Sequence, residues 1–168
     1  MLAAACGGGT SKTSPPASPE FVETVSPASV ATPTPSDTIP PGVIGVTKEF
    51  GRSTPPSTVA ITDAWTIYGA TGEVRLVVRF HVKAAPEGPG ADIFCVEVED
   101  NQGRIWKYGT TWEGPSEIVA GAETDWDCAW SVPEDSVISR ITIEFNGRTD
   151  VDFDLPDLPV HALPFRES

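Results

Sequence analysis

The sequence predicts an all-β fold: an antiparallel β-sandwich that follows a long disordered leader. Seven or eight short segments carry apolar residues at every second position, and turn-forming residues separate them. No stretch shows a sustained helical period of apolar residues. A small barrel is the alternative arrangement of such strands. The chain has no apolar run of about 18 residues, so a transmembrane helix is not expected.

The leader is marked by its prolines. Ten of the 17 prolines lie in the first 57 residues, and the overall proline content is roughly double the usual share. Apolar side chains are too few there to offset the entropy of ordering the chain, and the prolines favour extended conformations. Residues 7–42 are therefore predicted to form a disordered Pro/Ser/Thr-rich tether.

The first residues, MLAAAC at 1–6, resemble the end of a bacterial lipoprotein signal peptide. In such signals, small residues precede a cysteine that becomes the lipidated first residue. The resemblance implies lipidation of Cys6, a membrane contact through the lipid anchor, and a location on the extracellular face of the cell membrane. Ala3 stands where Leu is usual, and the basic and apolar parts of a signal are expected upstream of Met1. The alternative is a chance Ala-Ala-Ala-Cys in a cytosolic protein.

The sandwich is expected to span 43–160, with 161–168 as a C-terminal tail. The apolar run from Val43 to Val46 predicts an edge strand. Thr58 to Tyr68 predicts a strand with apolar residues on one face: Val59, Ile61, Trp65 and Ile67. Val74 to Lys83 is the clearest strand, since five apolar residues alternate with mostly polar ones: Val74, Leu76, Val78, Phe80 and Val82.

A β-hairpin from Ile93 to Tyr108 forms the centre of the predicted domain. Phe94, Val96 and Val98 alternate with polar positions, and Asp100 to Gly103 supplies turn chemistry. The stretch from Gly109 to Gly121 is expected to be mostly loop. The later strands place these residues on their apolar faces: Trp126, Cys128, Trp130 and Val132, then Ile141, Ile143 and Phe145, then Val151, Phe153 and Leu155. Asn146-Gly147 predicts a tight hairpin between the last two of these strands.

Cys95 and Cys128 are an even pair if Cys6 carries a lipid, and exported proteins retain disulfides. Each cysteine lies on a predicted strand, so a disulfide between them is expected. Cys95, however, falls on the opposite phase from Phe94 and Val96. Either a bulge near Cys95 or pairing between neighbouring strands would reconcile the two observations. Two unpaired thiols are the alternative.

At the level of family, the domain looks like the immunoglobulin-like domains of unknown function in Gram-positive, especially actinobacterial, lipoproteins and secreted antigens. The resemblance runs over roughly 43–155 and rests on the long strand at 74–83, the hairpin VEVEDNQGRIWKY, the stretch AGAETDWDCAWSVPED and two closing strands. It implies an immunoglobulin-like β-sandwich and an address in the cell envelope. It brings no catalytic residues.

Charge and motifs limit the function classes. The net charge is −13, of which −1 falls in the first 57 residues and −12 in the remainder. An acidic domain repels phosphate backbones, so no nucleic-acid partner is expected. Nucleophile, zinc-protease, phosphate-loop and dinucleotide motifs are missing from the sequence. The protein is therefore predicted to be non-enzymatic and to need no cofactor. The envelope address that the resemblance implies makes an unknown envelope protein the expected partner.

Two groups of residues remain as candidate contacts. Trp106 follows a turn and Trp112 lies in the predicted loop, where an exposed indole can stack on a sugar or pack on a protein; the alternative is that they cap the sandwich. Asp150, Asp152 and Asp154 form a row on one strand face and are weak candidates for a calcium site. A charged face that keeps the sheet soluble is the favoured interpretation of that row. A module for carbohydrate or calcium is thus the alternative function.

Overall fold

The computed structural model of the protein describes residues 39, 41–69, 73–87, 90, 92–147 and 149–167. The predictions for Cys6 and for nearly all of the tether at 7–42 lie outside these residues. The described chain contains β-strands and one short 3-10 helix at Val160–Ala162. The strands are β1 (Thr47–Phe50), β2 (Ser57–Tyr68), β3 (Val74–Lys83), β4 (Ile93–Asp100), β5 (Ile105–Lys107), β6 (Thr110–Glu113), β7 (Glu123–Ser131), β8 (Val137–Phe145) and β9 (Thr149–Pro159).

The strands form two antiparallel sheets that face each other, which confirms the predicted sandwich. One sheet has the order β1-β2-β3-β7-β6 and the other the order β5-β4-β8-β9. The set β2-β3-β7-β6 matches the A-B-E-D sheet of an immunoglobulin domain, and β5-β4-β8-β9 matches C′-C-F-G. The strand β1 is an addition beside the A position. Because the two sheets stay separate, the barrel alternative is wrong.

The core between the sheets follows the predicted alternation most closely in β3, the central strand of the larger sheet. Leu76, Val78, Phe80 and Val82 are fully buried in the core cluster. Arg75, Arg79, His81 and Lys83 point to the outer face, where they oppose Ser131, Asp127, Asp125 and Glu123 of β7. Trp126 and Trp130 of β7 are buried in the same core, as the sequence predicts.

A bulge in β4 resolves the phase of Cys95. The register with β8 shifts between Cys95 and Glu97, so the intervening Val96 is the extra residue. Ile93 and Cys95 are buried before the bulge, and Val98 is buried after it. The prediction that Phe94 belongs to the buried phase is therefore wrong, and Phe94 is exposed.

A second bulge, in β2, moves Trp65 and Ile67 away from the main core. The register with β3 shifts between Ile61 and Asp63, and the strand changes faces at that point. Trp65 and Ile67 are buried in a separate cluster with Val77 and Ala129 on the outer face of the larger sheet. The single continuous face predicted for β2 is wrong because the bulge interrupts the alternation.

Two other segments differ from their predicted structure. Residues 41–45 form turns, so no strand occurs at Val43, although its side chain is buried. The edge strand β1 begins only at Thr47. Thr110–Glu113, within the predicted loop, forms β6 and pairs with β7. Backbone pairing at a sheet edge needs no apolar alternation, which is why the sequence pattern does not show these strands.

The predicted disulfide is present, and it joins the two sheets. Cys95 on β4 and Cys128 on β7 are bonded, with their Cα atoms 5.6 Å apart. Immunoglobulin domains usually join strands B and F, whereas here the bond joins the strands at the C and E positions. Of the two predicted reconciliations, the bulge near Cys95 is the one observed.

The C-terminal segment is packed into the domain beyond the predicted boundary at 160. Leu163 is buried in the core. The amide N–H of Thr66 donates to the carbonyl of Pro164 at 2.8 Å, and the N–H of Arg166 donates to the carbonyl of Thr66 at 2.9 Å. The Arg166 guanidinium also lies 2.8 Å from Asp63 and 4.3 Å from the centre of the Trp65 ring. Residues 163–166 therefore cover the part of the β2 edge that β1 does not reach.

The decrease in the stability of the fold at low pH should depend on Asp100, which closes the turn between β4 and β5. Burial tends to raise its pKa, but hydrogen bonds from the N–H of Arg104, the Arg104 guanidinium and the N–H of Gln102 outweigh burial and lower the pKa below 3.8. A carboxylate with a lowered pKa stabilises the fold fully above its unfolded pKa, and that stabilisation is lost as pH falls through the folded pKa.

We therefore expect the free energy of unfolding to decrease below the unfolded pKa of 3.8, and to decrease less steeply in Asp100→Asn. Urea titrations of both proteins at neutral pH and at several acidic pH values measure the difference. Equal acid slopes for the two proteins would contradict the assignment to Asp100.

Candidate binding site

The two sheets end on the same flank of the sandwich, at β5 and β6. Their neighbours β4 and β7 are tied together by the disulfide, so the edge strands β5 and β6 belong to the same flank. We call this region the β5–β6 flank. It carries the exposed large apolar side chains Phe94, Ile105, Tyr108 and Trp112. A patch of exposed apolar and aromatic side chains is the usual mark of a binding surface.

A cleft of about 360 Å³ opens in this flank. Trp106, Lys107 and Tyr108 of the β5 side form one wall, and Arg75, Trp130 and Ser131 form much of the other. The structure thus places the candidate Trp106 in the cleft. Trp112 does not line it, but the Arg75 guanidinium lies 6.0 Å from the centre of the Trp112 ring. Arg75 therefore lies beside Trp112 and lines the same cleft as Trp106. Trp112 is exposed rather than folded down.

Tyr108 is the residue of this flank that the sequence pattern does not single out. Its side chain is 88% exposed, and its backbone has φ +60°, a left-handed conformation that few residues other than Gly and Asn adopt. Its N–H donates to the carbonyl of Val96 at 2.7 Å, which fixes the position. The neighbouring Gly109 packs so closely on the Trp130 indole that any side chain there would collide with it.

Three cationic side chains stand around the cleft, each beside an acid. Arg75 lies 3.0 Å from Glu73, Lys107 lies 3.5 Å from Glu97, and Arg104 lies 2.6 Å from Asp100. The Arg104 guanidinium is also 5.4 Å from the centre of the Trp106 ring. Cation–π contacts of this kind orient both partners.

Two buried nitrogen atoms of the cleft walls lack an acceptor among the described residues. They are Nε of Arg75 and Nε1 of Trp130. Buried donors are almost always hydrogen-bonded in native proteins, so each exception calls for an explanation. Three buried atoms away from the cleft also lack a partner among the described residues, so this feature does not distinguish the cleft: Nε1 of Trp126, Oγ of Ser136 and Nε of Arg140.

A ladder of ion pairs covers the outer face of the larger sheet. Arg79 donates from Nε and Nη2 to the two carboxylate oxygens of Asp127, both at 2.7 Å. Next along the strands, His81 lies 2.9 Å from Asp125 and Lys83 lies 2.6 Å from Glu123. The Arg79–Asp127 pair raises the pKa of Arg79, mainly through the side-chain hydrogen bond. Each of the three basic side chains stands beside a carboxylate across the strand pair, which is a structural arrangement.

The row of Asp150, Asp152 and Asp154 lies on an exposed face of β9. Asp152 accepts a hydrogen bond from the Thr142 hydroxyl at 2.7 Å, and Asp154 stands opposite Arg140 in the strand register. In the part of the chain that the structure describes, no group of three or more His, Cys, Asp or Glu residues is placed to hold a metal ion.

Comparisons with known proteins add little to this geometry. No protein-family model matches the chain, and no curated protein matches it. A solved structure of a candidate lipoprotein from Staphylococcus aureus is similar over 67% of this chain and 89% of the other, with 9% sequence identity and a TM-score of 0.42. Among the described residues, no helix is long and apolar enough to cross a membrane.

Proposed function

We propose that the protein is a non-enzymatic, lipid-anchored component of the cell envelope whose sandwich binds another envelope protein through the β5–β6 flank. Tyr108 is the observation that carries this proposal. Its large ring is almost fully exposed on a backbone conformation that favours Gly or Asn. Packing and backbone preference therefore give no reason for a tyrosine at this position, whereas exposed Tyr side chains are typical energetic centres of protein interfaces.

The disulfide supports the proposed address. Such bonds persist in oxidising compartments and are rare in the cytosol. The chain has three cysteines, and pairing of Cys95 with Cys128 leaves Cys6, in its signal-like sequence, as the remaining thiol. A cytosolic origin for the Ala-Ala-Ala-Cys sequence fits the disulfide poorly.

Lipidation predicts that Cys6→Ser releases the protein from the membrane. The natural precursor and its Cys6→Ser variant are expressed in the native host, and the detergent and aqueous phases are compared after phase separation. We expect the parent protein in the detergent phase with a lipid mass at Cys6, and the variant in the aqueous phase. A parent protein recovered unmodified from the cytosol would contradict the anchor.

If the β5–β6 flank binds the partner, Tyr108→Asn should weaken partner binding without destabilising the fold. Asparagine accepts the left-handed backbone, so we expect the melting temperature to stay constant or rise slightly. Loss of the ring should weaken crosslinking to the envelope partner severalfold, as expected at an interface centre. The matched control is Phe165→Asn, which removes another exposed ring at the opposite edge of the larger sheet. Equal crosslinking by the Tyr108 variant and the parent would contradict the proposed surface.

A carbohydrate-binding module is the second candidate, because the exposed Trp112 indole on the same flank is of the kind that stacks on sugar rings. Partner capture that depends on Tyr108 but disappears after digestion of cell-wall glycans would favour it. Calcium binding receives no comparable support from the exposed aspartates of β9.

A further inference from the structure

The cleft of the β5–β6 flank opens beside an uncovered stretch of strand. In the described chain, β6 pairs with β7 from Ala129, opposite Thr110, toward Asp127. Trp130 and Ser131, one and two residues further along β7, have β3 on one side and the cleft on the other. An extended peptide that lies along an open strand edge gains main-chain hydrogen bonds, and pockets beside the edge read its side chains.

Cationic side chains are concentrated around the cleft, whereas the domain as a whole is acidic. The chain from residue 58 onward has a net charge of −12 and contains eight Lys and Arg residues. Three of them stand at this cleft: Arg75 and Lys107 line it, and Arg104 lies over the ring of Trp106, which also lines it. The long-range field of the protein repels anions. At the cleft an anionic group meets three local cations, each of which it shares with an adjacent acid: Glu73, Glu97 or Asp100.

We propose that the cleft binds an acidic peptide segment of the envelope partner, with a carboxylate directed to Arg75, the peptide backbone along Trp130–Ser131 of β7, and an apolar side chain against Trp106. This assignment rests on the proposed function and names the chemistry of its partner. The volume of about 360 Å³ is near the lower end of ligand sites, about 300–1,000 Å³. A site of that size holds one or two residues of a peptide within a larger interface.

A carboxylate suits this site better than a neutral acceptor. Hydrogen bonds between a guanidinium and a carboxylate are shorter and stronger than those between neutral groups. Arg75 and Lys107, which line the cleft, both carry the positive charge that such a bond requires. Neighbouring apolar atoms of the peptide can cover the faces of Trp106 and the side chain of Ile105, which is exposed at the cleft mouth.

The test uses nuclear magnetic resonance on the full chain, labelled with nitrogen-15 and carrying Cys6→Ser so that it stays in solution. The probes are a blocked mixed-sequence pentapeptide library with Glu at the centre, the same library with Gln at the centre, and glucuronate. We expect the Glu library to shift the indole resonances of Trp106 and Trp130, and the Gln library to bind roughly fivefold more weakly because a charge-assisted hydrogen bond is lost.

Arg75→Met keeps the aliphatic stem beside Trp112 and should abolish the difference between the Glu and Gln libraries. Lys83→Met is the control, since Lys83 is exposed on the same strand and paired with Glu123 away from the cleft. Melting temperatures of both variants verify that they are folded.

Three results would overturn the assignment: equal binding of the two libraries, shifts caused by glucuronate but by neither library, or no shift of the cleft resonances by any probe. In one outcome, Tyr108→Asn abolishes partner crosslinking while neither library shifts the resonances of the cleft. That result would support the β5–β6 flank as the interaction surface and contradict only the assignment of an acidic peptide to the cleft. If the Glu library binds but partner crosslinking does not depend on Tyr108, the proposed function is contradicted and the peptide site in the cleft is supported.

Discussion

Replacing Cys95 and Cys128 together by alanine should lower the free energy of unfolding by about 3–4 kcal/mol in the chain-entropy account of disulfides. The bond closes a loop between residues 33 positions apart and ties β4 to β7 across the core. Without the disulfide, the unfolded chain regains the conformational freedom that the closed loop removes, and the two sheets lose their covalent link. Since small domains are stable by only about 5–15 kcal/mol, we expect a large decrease in the urea midpoint.

Urea unfolding of the double variant, of the oxidised parent and of the parent with reductant measures this effect. The reduced parent should unfold near the double variant, because alanine at two buried positions adds only a small loss of packing. Coincident unfolding curves for the oxidised and reduced parent would show that the bond does not stabilise the fold.

Replacing Asp127 by alanine should cost about 2–3 kcal/mol, although Asp127 lies on the outer face of a sheet. Asp127 is only 1% exposed, because Arg79 covers it and lies 5.3 Å from the centre of the Trp65 ring. Removing one partner of a buried pair leaves an uncompensated charge, which costs roughly 3–5 kcal/mol when both groups are fully buried. Arg79 has a partly exposed side chain and also lies 3.8 Å from Glu113, so water and this second acid reduce that cost.

Asp125→Ala is the matched control, because Asp125 occupies the next outward position on β7 and its carboxylate is exposed beside His81. Exposed pairs contribute about 0–1 kcal/mol. Chemical denaturation of both variants at neutral pH should therefore separate them by at least about 1 kcal/mol. Equal losses would show that the Arg79–Asp127 pair behaves as an ordinary surface ion pair.

The sandwich was predictable wherever strand alternation is uninterrupted. In β3 and β8 the apolar positions predicted from the sequence are buried, except Val74, which is half-buried. Val77, on the predicted polar phase of β3, is also buried, in the cluster on the outer face. The Asn146-Gly147 turn also follows from sequence, because both residues adopt the positive φ that this hairpin type requires. In β2 and β4 the bulges insert one residue, and the apolar residues beyond them change faces. A bulge has no distinct residue signature here, so the assignments of Trp65 and Phe94 were wrong.

The binding flank was predictable only in part. Trp106 and Trp112 were identifiable from composition and from their position next to turns. The cleft itself depends on where β6 stops pairing with β7, and that is a property of backbone register between distant segments. Tyr108 looked like an ordinary strand residue because its left-handed backbone is imposed by tertiary contacts, including the hydrogen bond to Val96.

The pairing of residues 163–166 with β2 sets an order of events during synthesis. Thr66 emerges from the ribosome early, but its pairing partner Pro164 lies 98 residues later. Until residues 163–166 appear, the edge of β2 at Thr66 presents unpaired backbone groups beside Trp65, which favours pairing with other chains. Contacts of such long range also close slowly. A nascent chain of this protein therefore cannot complete its first long strand until residues 163–166 have left the ribosome, and chaperone contact with β2 is expected to last until then.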